Sequence, residues 1–288
     1  MGHPRFVHLH LHTDYSLLDG ACDISELVDE TARRGMPAVA VTDHGNLFAA
    51  ANFFHQATTR GVKPIIGCEV YVARGSRHDR GTASAAPEVG PPGRANGDTN
   101  LRGAAGEPVR GTNHLLLLCE NNEGYRNLLK LVSAGFLEGF YYKPRIDYEL
   151  LAKHSRGLIA LSACLRGAVA DALLEDRYDE ARASAYRLRD ILGKGNFFLE
   201  VQDQGLEVEG RVNQELVRLS RETGIPLVAT NDCHYLTREG ARAQEVLLCI
   251  QTGKTMSDPQ RMKFATDQFY FKTAGEMAEV FRELPDAL

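Results

Sequence analysis

Short apolar runs that suit β-strands alternate along this 288-residue chain with longer stretches of helical periodicity. The runs predict strands at residues 6–11, 38–41, 64–72, 114–119, 158–161, 197–201 and 227–229. The stretches between them predict helices at 24–34, 49–60, 125–136, 208–223 and 239–250, and a helical pair over 167–192. This order predicts an α/β fold of parallel strands joined by crossover helices.

An open doubly wound sheet and a closed barrel both fit that order. An open sheet that binds a nucleotide normally has a glycine-rich phosphate loop after its first strand, and this sequence has none there. Titratable residues instead follow the predicted strands, where a (βα) barrel keeps its active site. They are Asp43, His44, Glu69, Cys164, Asp232 and His234. We therefore expect a barrel over residues 1–270.

Two segments fall outside the alternation. Residues 75–111 are rich in Gly, Ala, Pro and Arg without periodicity, which predicts a flexible surface insertion. Beyond Ile250 the alternation stops, and Thr273 with Glu276 has the spacing of a capping box for a last helix. We interpret residues 271–288 as the start of a connection to a further region that the sequence lacks.

Composition narrows the setting. No apolar run approaches the roughly 20 residues needed to span a bilayer, and the first residues lack a signal-peptide pattern, so we expect a cytoplasmic protein with no membrane partner. Six cysteines without CxxC spacing suggest thiols rather than disulfides. The net charge of −5 disfavours tight DNA binding by this chain alone, although bound cations supply positive charge locally.

The first predicted strand carries His8, His10 and His12 in HLHLH. Alternation along a strand places all three on one face. A lone histidine is more often a packed or exposed residue, but histidines spaced by two at a strand end form a chelate for an ion such as zinc. We predict that His10 and His12 are ligands and that the deeper His8 packs or supports them.

Later strands add further candidates. His44 in VTDHG is a predicted ligand, and Asp43 is better suited to orienting a ligand than to binding metal itself. Glu69 in IIGCEVYVA would bury a charge at high cost unless it meets a cation. Asp232 and His234 in TNDCHY are two residues apart at a strand end, as in a typical half-site.

At three further positions the sequence is weaker evidence for metal ligation. Asp19 in LLDG also fits a turn before a glycine, His114 at a strand start also fits a solvent-exposed residue, and Cys164 in LSACL also fits a core thiol. Together, however, His, Asp and Glu recur at the ends of at least four predicted strands. That recurrence predicts a metal site at the C-terminal ends of the strands.

The motifs HLHLHTDYS, TDHGN, GCEVY, GTNHLLLL, LSACL and TNDCHY resemble those of the PHP (polymerase and histidinol phosphatase) family. One branch is more similar: FVHLHLHTDYSLLDG, GFYYKPRID, ATNDCHY and EVLLCIQTGKTMSDPQRMKF resemble the N-terminal domain of bacterial DNA polymerase III alpha subunits over nearly the whole chain. Only residues 75–111 depart from this resemblance.

The resemblance implies a distorted (βα)7 TIM-like barrel with three divalent metal ions, zinc foremost and manganese or iron as alternatives. The implied ligands are His10, His12, Asp19, His44, Glu69, His114, Cys164, Asp232 and His234. Among them His12, Asp19 and Asp232 are predicted to be catalytic. Lys143 and Arg145 in YYKPRID are candidates for pairing with substrate phosphate, and a solvated turn explains them equally well.

The implied activity is a metal-dependent 3′–5′ exonuclease that proofreads DNA 3′ ends beside a polymerase site, together with other regions and subunits of the polymerase holoenzyme. Clustered cations suit this chemistry because they lower the pKa of water and stabilise charge on a phosphoryl group. Two alternatives stay open: a small-molecule phosphatase of the histidinol phosphate type, and a domain whose metals serve folding and partner docking.

Overall fold

The computed structural model describes residues 6–80 and 112–288, so most of the predicted insertion at 75–111 lies outside the described residues. The strands are β1 Ala38–Val41, β2 Lys63–Ala73, β3 Thr112–Cys119, β4 Arg145–Ile146, β5 Leu158–Leu161, β6 Phe197–Gln202 and β7 Leu227–Thr230. The helices are α1 Ile24–Arg33, α2 Ala50–Thr59, α3 Asn122–Leu137, α4 Tyr148–Lys153, α5 Ala168–Leu174, α6 Tyr178–Leu192, α7 Glu207–Thr223, α8 Gly240–Thr252 and α9 Ala274–Val280.

The strands form one curled sheet in the order β1-β2-β3-β5-β6-β7, and β4 pairs with β2. β1 with β2, β5 with β6, and β6 with β7 are parallel, as predicted. β3 is antiparallel to both β2 and β5, so the prediction of an all-parallel sheet was wrong for this strand. The reason is the connection: Ala73 at the end of β2 pairs with Thr112 at the start of β3, so the chain returns to the same end of the sheet.

Residues 6–11 were predicted as a strand but form no regular ladder. They bond on one side to β1, where Ala40 N donates to His8 O, and on the other to the segment after β7, where His12 N donates to Cys233 O. The ladder is interrupted because Leu11 N donates to the Thr42 hydroxyl instead of a carbonyl. The segment nevertheless joins both edges of the sheet, which gives a distorted barrel.

The two faces of the strands bury different partners. In β3, Leu115 and Leu117 belong to the core beneath the helices, whereas Leu116 and Leu118 pack inside the barrel. The interior cluster also takes side chains from the other strands, as expected for a barrel interior. These are Ala40, Leu161, Ile65, Ile159, Phe198 and Val228.

The interior changes from apolar to polar toward the C-terminal ends of the parallel strands. Because strand side chains alternate, Glu200 lies on the same face of β6 as Phe198, and His114 on the same face of β3 as Leu116. Glu69 pairs in register with Leu116. One end of the barrel interior is therefore lined by titratable side chains.

The helix ends follow local signals. Asp23, Asn121 and Asp147 cap α1, α3 and α4 through their side chains, as expected of short polar residues at this position. The predicted capping box of α9 is confirmed: Thr273 Oγ1 accepts from Glu276 N, and Glu276 Oε2 accepts from Thr273 N. No helix of the described residues is long and apolar enough to cross a lipid bilayer.

Candidate metal centre

Glu69 lies at the middle of the polar end of the barrel and is 1% exposed. Its Oε2 is 2.8 Å from His44 Nδ1 and 3.4 Å from His12 Nε2. Its Oε1 is 2.9 Å from His114 Nδ1, and Cys164 Sγ lies 3.9 Å away. One buried carboxylate therefore contacts side chains from four separate segments of the chain.

Below Glu69, His10 and His12 contact Asp232. The Oδ1 atom of Asp232 is 3.2 Å from His10 Nε2 and 3.2 Å from His12 Nε2. The two Nε2 atoms are themselves 3.2 Å apart, and both side chains are fully buried. This group forms the floor of the site.

Toward solvent, Asp19 lies between two further histidines. Its Oδ2 is 3.1 Å from His44 Nε2 and 3.6 Å from His234 Nε2. The rings of His12 and His44 stack at 4.1 Å, which connects this rim to the floor. The side chains of His44 and His114 are 18% and 13% exposed, so a ligand in solution reaches the rim first.

All nine side chains predicted as ligands therefore come together at one end of the barrel. Three overlapping groups among them have ligand atoms within 4.8 Å of one another: His10–His12–Glu69, His44–Glu69–His114 and His12–His44–His234. The antiparallel direction of β3 explains how His114, at the start of its strand, reaches the end where the parallel strands finish.

Several of these side chains are presented by unusual backbone. Asp232 has a φ of +48°, Ala163 before Cys164 has +64°, and Leu18 before Asp19 has +61°. Left-handed conformations cost a non-glycine residue roughly 1–3 kcal/mol and cluster at functional sites. Gly20 follows Asp19 because a Cβ there would meet Thr13 O at 2.1 Å.

Hydrogen bonds fix which nitrogen of three imidazoles faces inward. His10 Nδ1 donates to Glu200 Oε1 at 2.7 Å, His12 Nδ1 to Ser16 Oγ at 3.0 Å, and His234 Nδ1 to the Asp232 carbonyl at 2.8 Å. With a proton on Nδ1, each Nε2 is the ring atom turned toward the cluster and is the atom that would bind a cation.

The charge balance of the floor is set by burial and by the carboxylates. Burial disfavours the charged form of His10, but Asp232 and Glu200 outweigh it and hold the His10 pKa well above its usual range. Burial and the neighbouring His44 lower the pKa of His12 to about 3. Burial and Glu69 raise the pKa of the Cys164 thiol well above its usual range.

These residues fit divalent metal ions. Within the described part of the chain, Asp232 Oδ1 and His44 Nδ1 are buried with no hydrogen-bond partner. Asp232 Oδ1 nevertheless lies 3.2 Å from His10 Nε2, and His44 Nδ1 lies 2.8 Å from Glu69 Oε2. Short contacts without hydrogen-bond geometry indicate atoms that point toward a shared position rather than toward each other. A cation there satisfies both, and imidazole, carboxylate and thiolate are its usual ligands.

Sequence reasoning missed Glu200, which supports this centre. It is 2% exposed, and besides His10 it accepts from Gln202 Nε2 at 2.9 Å and from the Thr230 hydroxyl. The available signal was the one that identified Glu69, a lone carboxylate in an apolar strand, here in FFLEVQ. Glu200 orients His10 from behind.

Ser16 and Asp43 support His12 in a similar way. The Ser16 hydroxyl donates to Asp43 Oδ1 at 2.8 Å and accepts from His12. The Asp43 carboxylate also accepts from Thr13 N and Thr13 Oγ1, so its oxygens are engaged away from the cluster. His8 lies behind the site, with Nε2 2.8 Å from Lys272 O.

The two candidate phosphate-binding residues differ in placement. Lys143 Nζ lies 5.4 Å over the ring of Tyr71, which stacks on His44, so it lies beside the rim. Arg145 is 6% exposed, and its guanidinium donates to the carbonyls of Gly139, Arg77 and Asp79. The Arg145 guanidinium therefore stabilises its own loop, and of the two residues Lys143 is the one placed to pair with a phosphate.

Replacing Glu200 by glutamine is expected to weaken metal binding roughly 10- to 100-fold, the usual cost of losing a carboxylate behind a ligating histidine. The variant keeps the size of the side chain but removes the negative charge that holds His10. Competition with a coloured chelator measures the affinity, and the visible spectrum of the cobalt-substituted protein reports the ligand geometry.

Glu209→Gln is the matched control, because Glu209 is also a buried glutamate, but its Oε2 accepts from the backbone N–H groups of Gln204 and Leu206 and not from a ligand histidine in the described structure. Its affinity and cobalt spectrum should match those of the parent. Equal metal affinity in Glu200→Gln and the parent would show that Glu200 does not position His10.

A curled α/β barrel with histidines, carboxylates and a cysteine gathered at one end has the features of a metal-dependent hydrolase. The chain belongs to the PHP domain family, whose model matches residues 8–204. This confirms the resemblance drawn from the motifs.

Curated relatives define the branch. The chain is 45% identical over 286 residues to DNA polymerase III subunit alpha of Treponema pallidum, covering 99% of this chain and 22% of the relative. It is 43% identical to that of Borreliella burgdorferi, covering 99% and 23%, and 45% identical to that of Mycobacterium tuberculosis H37Rv, covering 98% and 23%. The chain thus spans less than a quarter of the length of these relatives.

Proposed function

We propose that this chain is the metal-dependent phosphodiesterase domain of a cytoplasmic replicative DNA polymerase, and that it acts as a 3′–5′ exonuclease on DNA 3′ ends. The observation that carries the proposal is the convergence of nine ligand-type side chains at one end of the barrel, six of which form three overlapping groups with ligand atoms within 4.8 Å of one another. The similarity to DNA polymerase III alpha subunits supports DNA as the substrate. Residues 271–288 would then lead to the polymerase region, and the other subunits of the polymerase holoenzyme would be the partners.

Three divalent ions, zinc foremost and manganese or iron as alternatives, would be held by the nine side chains. The ligands are His10, His12, Asp19, His44, Glu69, His114, Cys164, Asp232 and His234. Bound there, such ions lower the pKa of water and neutralise charge on a phosphate.

The chain's own residues supply binding and orientation. His12 is held by Ser16 with its Nε2 facing the floor, and Asp232 fixes the space between His12 and His10. Asp19, at the rim with Oδ2 facing His44 Nε2 and His234 Nε2, would orient these imidazoles and the bound ions toward the incoming phosphate. Lys143 beside Tyr71 is placed to pair with a phosphate of the strand.

The test is digestion of single-stranded DNA labelled at its 5′ or 3′ end, with metal content measured on the same preparations. We compare the parent with Asp19→Asn and His12→Ala, and each has a matched control. Asp14→Asn changes an exposed aspartate of the same loop, and His55→Ala changes an exposed histidine on α2. We expect mononucleotides from the 3′ end in the parent and both controls, and at least a 100-fold loss in the two site variants.

Each other outcome points elsewhere. If the chain binds metal but the site variants do not reduce DNA digestion, the exonuclease proposal is wrong. The metals would then serve folding or partner docking. Hydrolysis of a small phosphomonoester in preference to DNA would favour a phosphatase of the histidinol phosphate type.

A further inference from the structure

Beside the metal centre lies a group of exposed rings, here called the aromatic face: Phe48, Phe136 and Phe140, with Tyr142 two residues further along the same loop. Phe48 is 60% exposed, Phe140 51% and Tyr142 71%. The rings of Phe48 and Phe136 are 6.2 Å apart, and those of Phe136 and Phe140 are stacked at 6.2 Å. Large exposed apolar patches of this kind mark binding sites.

One side of the aromatic face is attached to the His44 loop. Phe48 follows His44 by four residues, and Asn46 ties them together: its amide donates to His44 O, and its Oδ1 accepts from Phe48 N. Phe48 therefore keeps a fixed position relative to a rim histidine of the metal centre.

The other side is attached through the loop that follows α3. Tyr142 adjoins Lys143, whose Nζ lies over the ring of Tyr71, and that ring contacts both His44 and His114. A Cβ on Gly45 would lie 2.8 Å from Pro144 Cγ, so this loop packs directly on the His44 loop. The aromatic face and the rim of the metal centre form one continuous surface.

A cation lies at the edge of these rings. Lys143 follows Tyr142 in the chain, and its Nζ lies 5.4 Å over the ring of Tyr71 beside the rim of the metal centre. Stacking rings interleaved with cations are typical of surfaces that bind single-stranded nucleic acid, where any base can stack. An apolar protein partner would need no cation at the edge nearest the metal centre.

We propose that the aromatic face stacks unpaired bases of a single-stranded DNA end whose phosphate lies at the metal centre, with Lys143 pairing with a phosphate between them. This rests on the proposed phosphodiesterase function and deepens it. It makes frayed ends the preferred substrate, because paired bases are not free to stack on protein rings.

The experiment compares an oligodeoxythymidine with an abasic strand of equal length, which keeps the phosphates and lacks the bases. Fluorescence anisotropy of the metal-loaded chain measures binding, and initial rates measure KM and kcat. Phe48→Ala and Phe140→Ala should each weaken oligodeoxythymidine binding and raise its KM roughly 5- to 100-fold with little change in kcat. Neither variant should change binding of the abasic strand, and Phe140→Tyr should restore the parent values.

Phe54→Ala is the matched control, since Phe54 is 56% exposed and makes no ring contact with the aromatic face in the described structure. It should behave as the parent. The proposal is overturned if the parent binds both strands equally, or if Phe48→Ala and Phe140→Ala leave oligodeoxythymidine binding unchanged; a protein surface would then be the occupant. If the parent binds the base-containing strand more tightly but releases no nucleotide, the stacking proposal stands and the proposed hydrolysis is wrong.

Discussion

Glu69→Gln is expected to lose hydrolysis by at least two orders of magnitude and to lose most of the bound metal. Both carboxylate oxygens of Glu69 face histidines, Oε1 toward His114 and Oε2 toward His44 and His12. Glutamine keeps the volume but removes the charge, and its amide group points donors at atoms that should bind a cation. Elemental analysis and initial rates on the same samples measure both effects.

Glu209→Gln again serves as control, because it changes a buried glutamate at the start of α7 that makes no hydrogen bond to a predicted ligand among the described residues. It should keep both metal and activity. Full metal content with full activity in Glu69→Gln would contradict the assignment of Glu69 as the shared ligand.

Removal of the bound metal should lower the melting temperature of the domain by several degrees. The site buries the carboxylates of Glu69 and Asp232 beside several imidazoles, and metal binding to such a site contributes directly to folding. At free metal about a thousand times Kd the contribution is about 4 kcal/mol, which corresponds to roughly 8–16 °C in Tm for a domain of this size.

Differential scanning calorimetry before and after dialysis against a chelator measures the shift, and adding zinc back should reverse it. The Asp19→Asn variant provides the comparison, because its weaker site should show a smaller shift. An unchanged Tm after complete removal of metal would show that the cluster does not contribute to folding.

Most strand positions were predictable because short apolar runs are bounded by polar turns. β1 and β5 were predicted with their observed ends. The direction of β3 was not, because periodicity identifies a strand without saying from which end of the sheet the chain enters it. The short helix α4, a single stretch of six residues, was too brief to give a helical period.

The predicted ligands come together because residues at the ends of neighbouring strands share one end of a barrel. Glu200 was missed although FFLEVQ carries the same signal as the Glu69 strand, because no other predicted ligand adjoins it in the sequence. Arg145 was treated like Lys143, because sequence alone does not distinguish a cation facing solvent from one that binds its own loop.

The first segment of the barrel has a consequence for how the chain is made. Leu11 bridges Cys233, and His10 and His12 meet Asp232 only through that closure. During synthesis His10 and His12 leave the ribosome well before Asp232, which lies more than 200 residues further along the chain. Contacts so distant in sequence form late in folding. Metal binding would therefore stabilise the closed barrel and would not guide its early assembly.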